Sequence, residues 1–363
     1  LTVFVKVQHF TENMLHQLEK TSNSKTNINI IFTILFLFIL LYPLLEDMSK
    51  GESIKVEDFQ LKDLLITTIN DMKFSVFKDR VFSGLIVGDE DWLLYNAENH
   101  FDDYQNTYPL TQTELRFIDE KLNFLCSEMT NLKIKLIVMV PPNKNSIYPE
   151  YVPNSIQKIN DSSRYDQISE LITPQWEDNE GCVYIDLRED LIKAKQDRRV
   201  YYSTDTHWNS YGAFIAYQNF ASLIQKDFPH ILVHSLTDYS IKNIVYKGDM
   251  TSNDFGHFSI VEISEKLEPN FIQKHRLIEL ETISNISTHS SQTGDKNLPS
   301  AIFYHDSFTN TLIPYIADLF FEAKYYWSFT IDMEEIIRKR PDYLIIIPNE
   351  RALYPALMSL PSQ

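Results

Sequence analysis

The chain has 363 residues, is 44% hydrophobic, and carries 50 acidic against 33 basic side chains for a net charge of −17. At roughly 150 residues per domain this means one large domain or two modest ones with a substantial core, and the hydrophobic content excludes a disordered chain. The negative field, unbroken by any Lys/Arg-rich run, excludes a nucleic-acid partner, while the 8 glycines include neither G-x-G-x-x-G nor a P-loop.

In chain order, the first strong signal is Ile28–Leu45, INIIFTILFLFILLYPLL, without a charged residue. Its length at a helical rise spans about 27 Å, enough for a hydrocarbon core of about 30 Å. A buried core helix is the competing reading, but such helices usually keep a polar stripe. Lys6, Lys20 and Lys25 precede the span, and Glu46, Asp47 and Glu52 follow it beside Lys50. The positive-inside rule then predicts residues 1–27 in the cytoplasm, 28–45 as a transmembrane anchor, and the rest outside, in the periplasm or extracellular space. A cleaved signal peptide is the alternative; the extended n-region and the lack of an A-x-A site favour an uncleaved anchor.

Residues 46–78 read as a charged juxtamembrane linker with a weak helical pattern (Phe59, Leu61, Leu64, Leu65, Ile69), and 79–363 as one domain. Strands are predicted at Leu85–Val87, Ile134–Val140, Val183–Leu187, Ala301–Tyr304 and Tyr343–Pro348. Helices are predicted at Thr111–Thr130, Ser163–Ile172, Ser210–Lys226, Thr309–Phe320 and Met333–Arg338. Apolar β-rich runs alternating with helices indicate an α/β domain with a parallel sheet covered on both faces. The stretch from about 235 to about 298 breaks the rhythm and reads as an irregular insertion or as antiparallel strands. Cys126 and Cys182 are too few for a disulfide-stapled framework or a Cys-rich zinc site, and the sequence leaves their pairing open.

Three segments place polar residues at carboxyl ends of predicted strands, where open α/β sheets bind ligands. In His305-Asp306-Ser307, Ser307 sits at a strand-to-helix turn as a nucleophile would, although Asp306 or Ser307 as a plain helix N-cap fits equally by residue type. In Asp205-Thr-His207-Trp208-Asn209, His207 could accept the serine's proton and Asp205 could orient the imidazole. A structural loop histidine, or a helix cap at Asp205 or Thr206, competes with that reading, and Trp208 is either a sugar-pocket wall or core. No H-E-x-x-H or C-x-x-C spacing completes a metal site, so no metal or cofactor is expected. In Pro141-Pro-Asn143-Lys144, Asn143 could donate to an oxyanion and Lys144 could face the same crevice; an ordinary turn Asn and a solvated Lys are the alternative.

Together these motifs resemble the alginate O-acetyltransferase family of the AlgX/AlgJ type, with its SGNH-hydrolase-like DHHW domain. The resemblance rests on Gly88-Asp-Glu-Asp91-Trp92-Leu-Leu-Tyr95, Pro141-Pro-Asn-Lys144 with Tyr148-Pro149, Asp205-Thr-His-Trp208-Asn209 and His305-Asp-Ser-Phe308, supported by Lys247-Gly-Asp249 and Asn349-Glu-Arg351. It implies an SGNH-hydrolase-like (flavodoxin-like) three-layer fold and a triad of Ser307, His207 and Asp205. It also implies acetyl transfer to a polysaccharide hydroxyl through an acetyl-serine, and a multi-spanning membrane O-acyltransferase as acetyl-supplying partner. His305 stands where the family often has arginine. A polysaccharide esterase using the same triad and a non-catalytic polysaccharide-binding or scaffolding module are the competing readings.

Overall fold

A computed structural model describes residues 60–82, 84–97, 100–252, 256, 258–283 and 286–362. Residues 1–27 and the apolar segment 28–45 lie outside this set; among the described residues no helix is long and apolar enough to cross a membrane. The chain divides into two units, Leu1–Thr68 and Ile69–Gln363. Of the linker expected at 46–78, residues from Gln60 are helical: Gln60–Met72 is an α-helix that runs into a π-helical turn at Lys73–Phe77 and stops at left-handed Lys78.

Twelve strands, β1 to β12, follow in chain order: Val81–Phe82, Leu85–Val87, Leu93–Tyr95, Lys135–Val140, Cys182–Asp186, Tyr239–Tyr246, Glu262–Pro269, Arg276–Ile283, Ile286–Gln292, Ser300–His305, Glu322–Tyr326 and Tyr343–Ile347. The main sheet has seven strands in the order β5-β4-β12-β10-β11-β9-β8. Its first five are parallel, while β9 lies antiparallel to β11 and β8 antiparallel to β9. The sheet is therefore mixed, not purely parallel as expected. The insertion before β10 folds into hairpins, one of which extends the sheet at its β11 edge; the other, β6 with β7, stands apart. The parallel strands do not run in flavodoxin order from the first to the last. Numbered from β4 they read 2-1-5-3-4; the 2-1-3-4-5 order appears only if the chain is read as starting at β10 and passing from β12 to β4.

Alternation along the strands builds the three layers. Ile137, Met139, Phe303, Tyr343, Ile345 and Ile347 pack on one side, against helices Ser210–Asp227 and Phe308–Ile316. Leu136, Val138, Val140, Ile302, Tyr304, Leu344 and Ile346 pack on the other, against helices Gln112–Leu132, Arg164–Trp176 and Glu350–Met358. Because a strand's side chains point alternately to opposite faces, near-continuous apolar runs are what a sheet covered on both sides demands. Local signals start the helices: capping boxes at Thr111/Glu114 and Ser163/Asp166, and Asn209 accepting from the Tyr211 and Gly212 amides. Cys126, in the first of these helices, is joined to Cys182 at the start of β5 by a disulfide with a Cα–Cα distance of 5.9 Å.

Candidate active site

The carboxyl ends of β4, β10 and β12 are tied together by backbone amides and carboxylates. Asp306 accepts from the Phe308 amide at 3.0 Å and the Asn349 amide at 2.7 Å. Glu350, the next residue, accepts from the Asn143 amide at 2.7 Å and from the Ser146 hydroxyl at 2.8 Å. Burial raises the carboxyls of Asp306 and Glu350, against the pull of those amides. Asp306 thus serves the turn, as a cap would, and this frees Ser307: its side chain makes no capping bond to the helix that follows.

Instead the Ser307 hydroxyl lies 2.7 Å from His207 Nε2. On the far side of the ring, His207 Nδ1 lies 2.7 Å from Asp205 Oδ1, which also accepts from the His207 amide at 2.9 Å. The other oxygen, Asp205 Oδ2, accepts from the Tyr246 hydroxyl at 2.8 Å and the Asp249 amide at 2.9 Å. Burial pushes this carboxyl up, but the His207 hydrogen bond and charge, with the Asp249 and His207 amides, hold it well below the usual carboxylate range. Residues 100 positions apart are thereby aligned as nucleophile, base and orienting carboxylate.

A second carboxylate stands beside the first. Asp249 Oδ2 lies 3.4 Å from His207 Nδ1 and accepts from the Thr206 hydroxyl at 2.5 Å. Burial and the charge of Asp205 raise its carboxyl. Among the described residues, Asp205, His207 and Asp249 are also a group whose possible ligand atoms fall within 4.8 Å of one another, but Nδ1 and Asp205 Oδ1 already bond each other, so the group reads as one hydrogen-bonded unit. Gly248 makes this close approach possible: a Cβ there would meet the Thr204 carbonyl oxygen at 2.1 Å.

Of the other expected site residues, Trp208, Lys144 and His305 are turned into the packing around the triad. Trp208 is not a pocket wall: it is fully buried, and its Nε1 donates to the Phe308 carbonyl at 3.1 Å. Lys144 does not face the crevice. It is buried with Nζ on the carbonyls of Tyr202, Ser203 and Asp205 at 3.2, 3.2 and 2.7 Å. His305 is buried too, its Nδ1 bonded to the Asp306 carbonyl at 2.7 Å, and burial lowers it to about 4. Asn143 stands at the N-cap position of the short helix Lys144–Ile147 without a side-chain capping bond, and its buried Oδ1 has no hydrogen-bond partner among the described residues.

The sequence assigns no role to Tyr246 or Asp249, which meet Asp205 and Thr206 from more than 40 positions away, and offers Thr206 only as a cap; Lys247-Gly-Asp249 as a motif is the one available signal. Arg351, noted in sequence only as the end of Asn349-Glu-Arg351, has its guanidinium 5.0 Å from the Tyr95 ring centroid and 5.9 Å from that of Phe308. The Phe308 ring in turn sits 4.9 Å from the His207 ring.

Comparison with known proteins places the chain in a family. Residues 85–270, just over half of the chain, match the family model described as "SGNH hydrolase-like domain, acetyltransferase AlgX". A curated relative, the "Probable alginate O-acetylase AlgJ" of Pseudomonas syringae pv. tomato, is 25% identical over 197 residues, covering 54% of this chain and 47% of its own. The chain thus spans about half the length of that relative. Among solved structures, Bacillus cereus PatB1 aligns with TM-score 0.57 and 15% identity over 77% of this chain and 100% of its own. A DHHW family protein from Eubacterium siraeum aligns with TM-score 0.53 and 16% identity over 78% of this chain and 97% of its own. These two likenesses concern the fold. The chain belongs to the family of SGNH hydrolase-like domains of the acetyltransferase AlgX type.

Proposed function

We propose that this protein is an O-acetyltransferase that moves acetyl groups onto polysaccharide hydroxyls through an acetyl-Ser307 intermediate. The observation that carries the reading is the unbroken line Asp205–His207–Ser307, with both side-chain contacts at 2.7 Å. Ser307 Oγ attacks the acetyl carbonyl carbon as its proton passes to His207 Nε2. Collapse of the tetrahedral intermediate breaks the bond to the donor's oxygen, which leaves with the proton from His207. An acceptor hydroxyl then gives its proton to His207 and attacks acetyl-Ser307; the product ester departs and Ser307 recovers the proton. Asp205, held ionised, keeps the imidazole in the tautomer with Nδ1 protonated and supports the imidazolium. The Ser307 amide at the head of helix Phe308–Ile316 is assigned as one oxyanion donor and the Asn143 side chain as the other.

Extracytoplasmic placement is part of the reading, supported by the apolar segment 28–45 and by the Cys126–Cys182 disulfide, a bond that persists in oxidising compartments. A multi-spanning membrane O-acyltransferase is the assigned source of acetyl. The test is to incubate the full chain and Ser307→Ala with a chromogenic acetyl ester, with and without oligosaccharides. Acetyl appearing on the oligosaccharide with the wild type alone supports transfer. Ester turnover indifferent to every acceptor would reassign the protein as an esterase, and no Ser307-dependent chemistry would leave only the binding module.

A further inference from the structure

Two charged side chains that no step of this reaction uses grip the segment carrying Asp205. Lys144 takes its carbonyls: Nζ reaches those of Tyr202, Ser203 and Asp205 at 3.2, 3.2 and 2.7 Å, so its three protons meet three acceptors. Glu262, on β7, takes its amides: the carboxylate accepts from Ser203 N at 3.1 Å, Thr204 N at 2.8 Å and the Thr204 hydroxyl at 2.6 Å. Arg199 balances Glu262 at 2.7 Å. With the cation on the carbonyls and the anion on the amides, the peptide planes from Tyr202 to Asp205 have one orientation that satisfies both. That orientation fixes where the Asp205 carboxylate begins.

Burying a lone ammonium is expensive. Burial does lower Lys144 to about 7, even with Asp205, Asp249 and Glu262 nearby to hold its charge. Fold stability alone does not call for such a pair, since apolar side chains of similar volume in place of a whole buried charge pair are often neutral or stabilising. The carbonyls that Lys144 would leave, however, would no longer be held in register.

We propose that Lys144 and Glu262 are positioning residues for acyl transfer, which together set the backbone at Asp205 so that its carboxylate meets His207 Nδ1. The inference rests on the proposed Ser307–His207–Asp205 reading. Its test compares full-length wild type with Lys144→Met, Glu262→Gln, the double variant, Ser307→Ala, and Lys121→Met. Lys121 also donates to a carbonyl, that of Leu360, but belongs to the far helix Gln112–Leu132. Turnover of p-nitrophenyl acetate is followed across pH, and each kcat is scaled to the folded fraction from a melting curve.

The expected result is a fall in kcat of about tenfold or more in each single variant, since small misplacements of catalytic groups are costly, with KM within about twofold. The pH dependence of kcat should change shape in each single variant, because the carboxylate that orients the imidazole is displaced. The double variant should be no worse than about threefold below the poorer single, as both act on one segment, and Lys121→Met should match wild type. Wild-type kcat and an unmoved profile in folded Lys144→Met would overturn the inference even if it melts earlier; so would losses that simply multiply in the double variant. Turnover surviving Ser307→Ala would overturn the nucleophile assignment underneath it.

Discussion

Asp205 reaches His207 Nδ1 at 2.7 Å and Asp249 reaches it at 3.4 Å, so distance ranks the two carboxylates as orienter and neighbour. Asp205→Asn is expected to lower kcat by about 10²–10⁴-fold, because the wrong imidazole tautomer is then favoured. Asp249→Asn keeps an acceptor for Thr206 and should cost no more than about tenfold; turnover of a chromogenic acetyl ester ranks them, and the reverse order would reject this assignment. Gly248→Ala tests the close approach that lets the Asp249 amide reach Asp205. Its backbone is extended, with φ −74° and ψ 162°, so the damage would come from space rather than strain. Crowding of the Thr204 carbonyl should cost about 1–3 kcal/mol, read by urea denaturation, and turnover should fall with it.

Among elements, the strands that sequence made legible are the apolar ones: Lys135–Val140, Ser300–His305 and Tyr343–Ile347 each lie within a residue or so of expectation. Strand β11, Glu-Ala-Lys-Tyr-Tyr, escaped because it is short, polar at alternate positions and half-buried. Its neighbours in the sheet, β9 and β10, supply the pairing that its composition does not announce. The disulfide links the helix Gln112–Leu132 to the amino end of β5, whereas Ser307 follows the carboxyl end of β10 and Asp205 and His207 precede the helix Ser210–Asp227. Converting Cys126 and Cys182 to Ala should therefore cost about 2–4 kcal/mol in denaturant unfolding while leaving kcat close to wild type. A large loss of turnover with an unchanged unfolding midpoint would contradict that separation.

For the whole molecule, buried ionisable groups give stability a pH dependence with a definite sign. Burial lowers His100 to about 3 and His305 to about 4, from 6.5. As pH falls below 6.5 the unfolded chain takes up protons that the folded chain refuses, so stability is lost, by on the order of 3 kcal/mol for His305 at pH 4. Asp249, Asp306 and Glu350, raised by burial, act in the opposite direction, so the histidines are best isolated by comparison. His100→Gln with His305→Gln should flatten the decline in melting temperature between pH 6.5 and 4, and an unchanged decline would sink the idea. Lys144 adds a second window: lowered to about 7 from 10.5, it makes stability rise with pH between those values, a rise that Lys144→Met should abolish.

By itself the sequence determined the class of fold, through apolar runs alternating with capped amphipathic helices, and brought Ser307 to notice at a predicted strand end and His207 with Asp205 just before a predicted helix. These are local properties, written in neighbouring residues. Only the tertiary structure decided that Asp306 rather than Ser307 serves the turn, and that Trp208 and His305 are buried packing. It likewise decided that Lys144 and Glu262 hold a loop from outside it, and that Cys126 meets Cys182. The strand order and the antiparallel edge belong to the same group. Each depends on groups far apart in the chain, and burial and the meeting of distant donors and acceptors exist only once the sheet has brought those segments together.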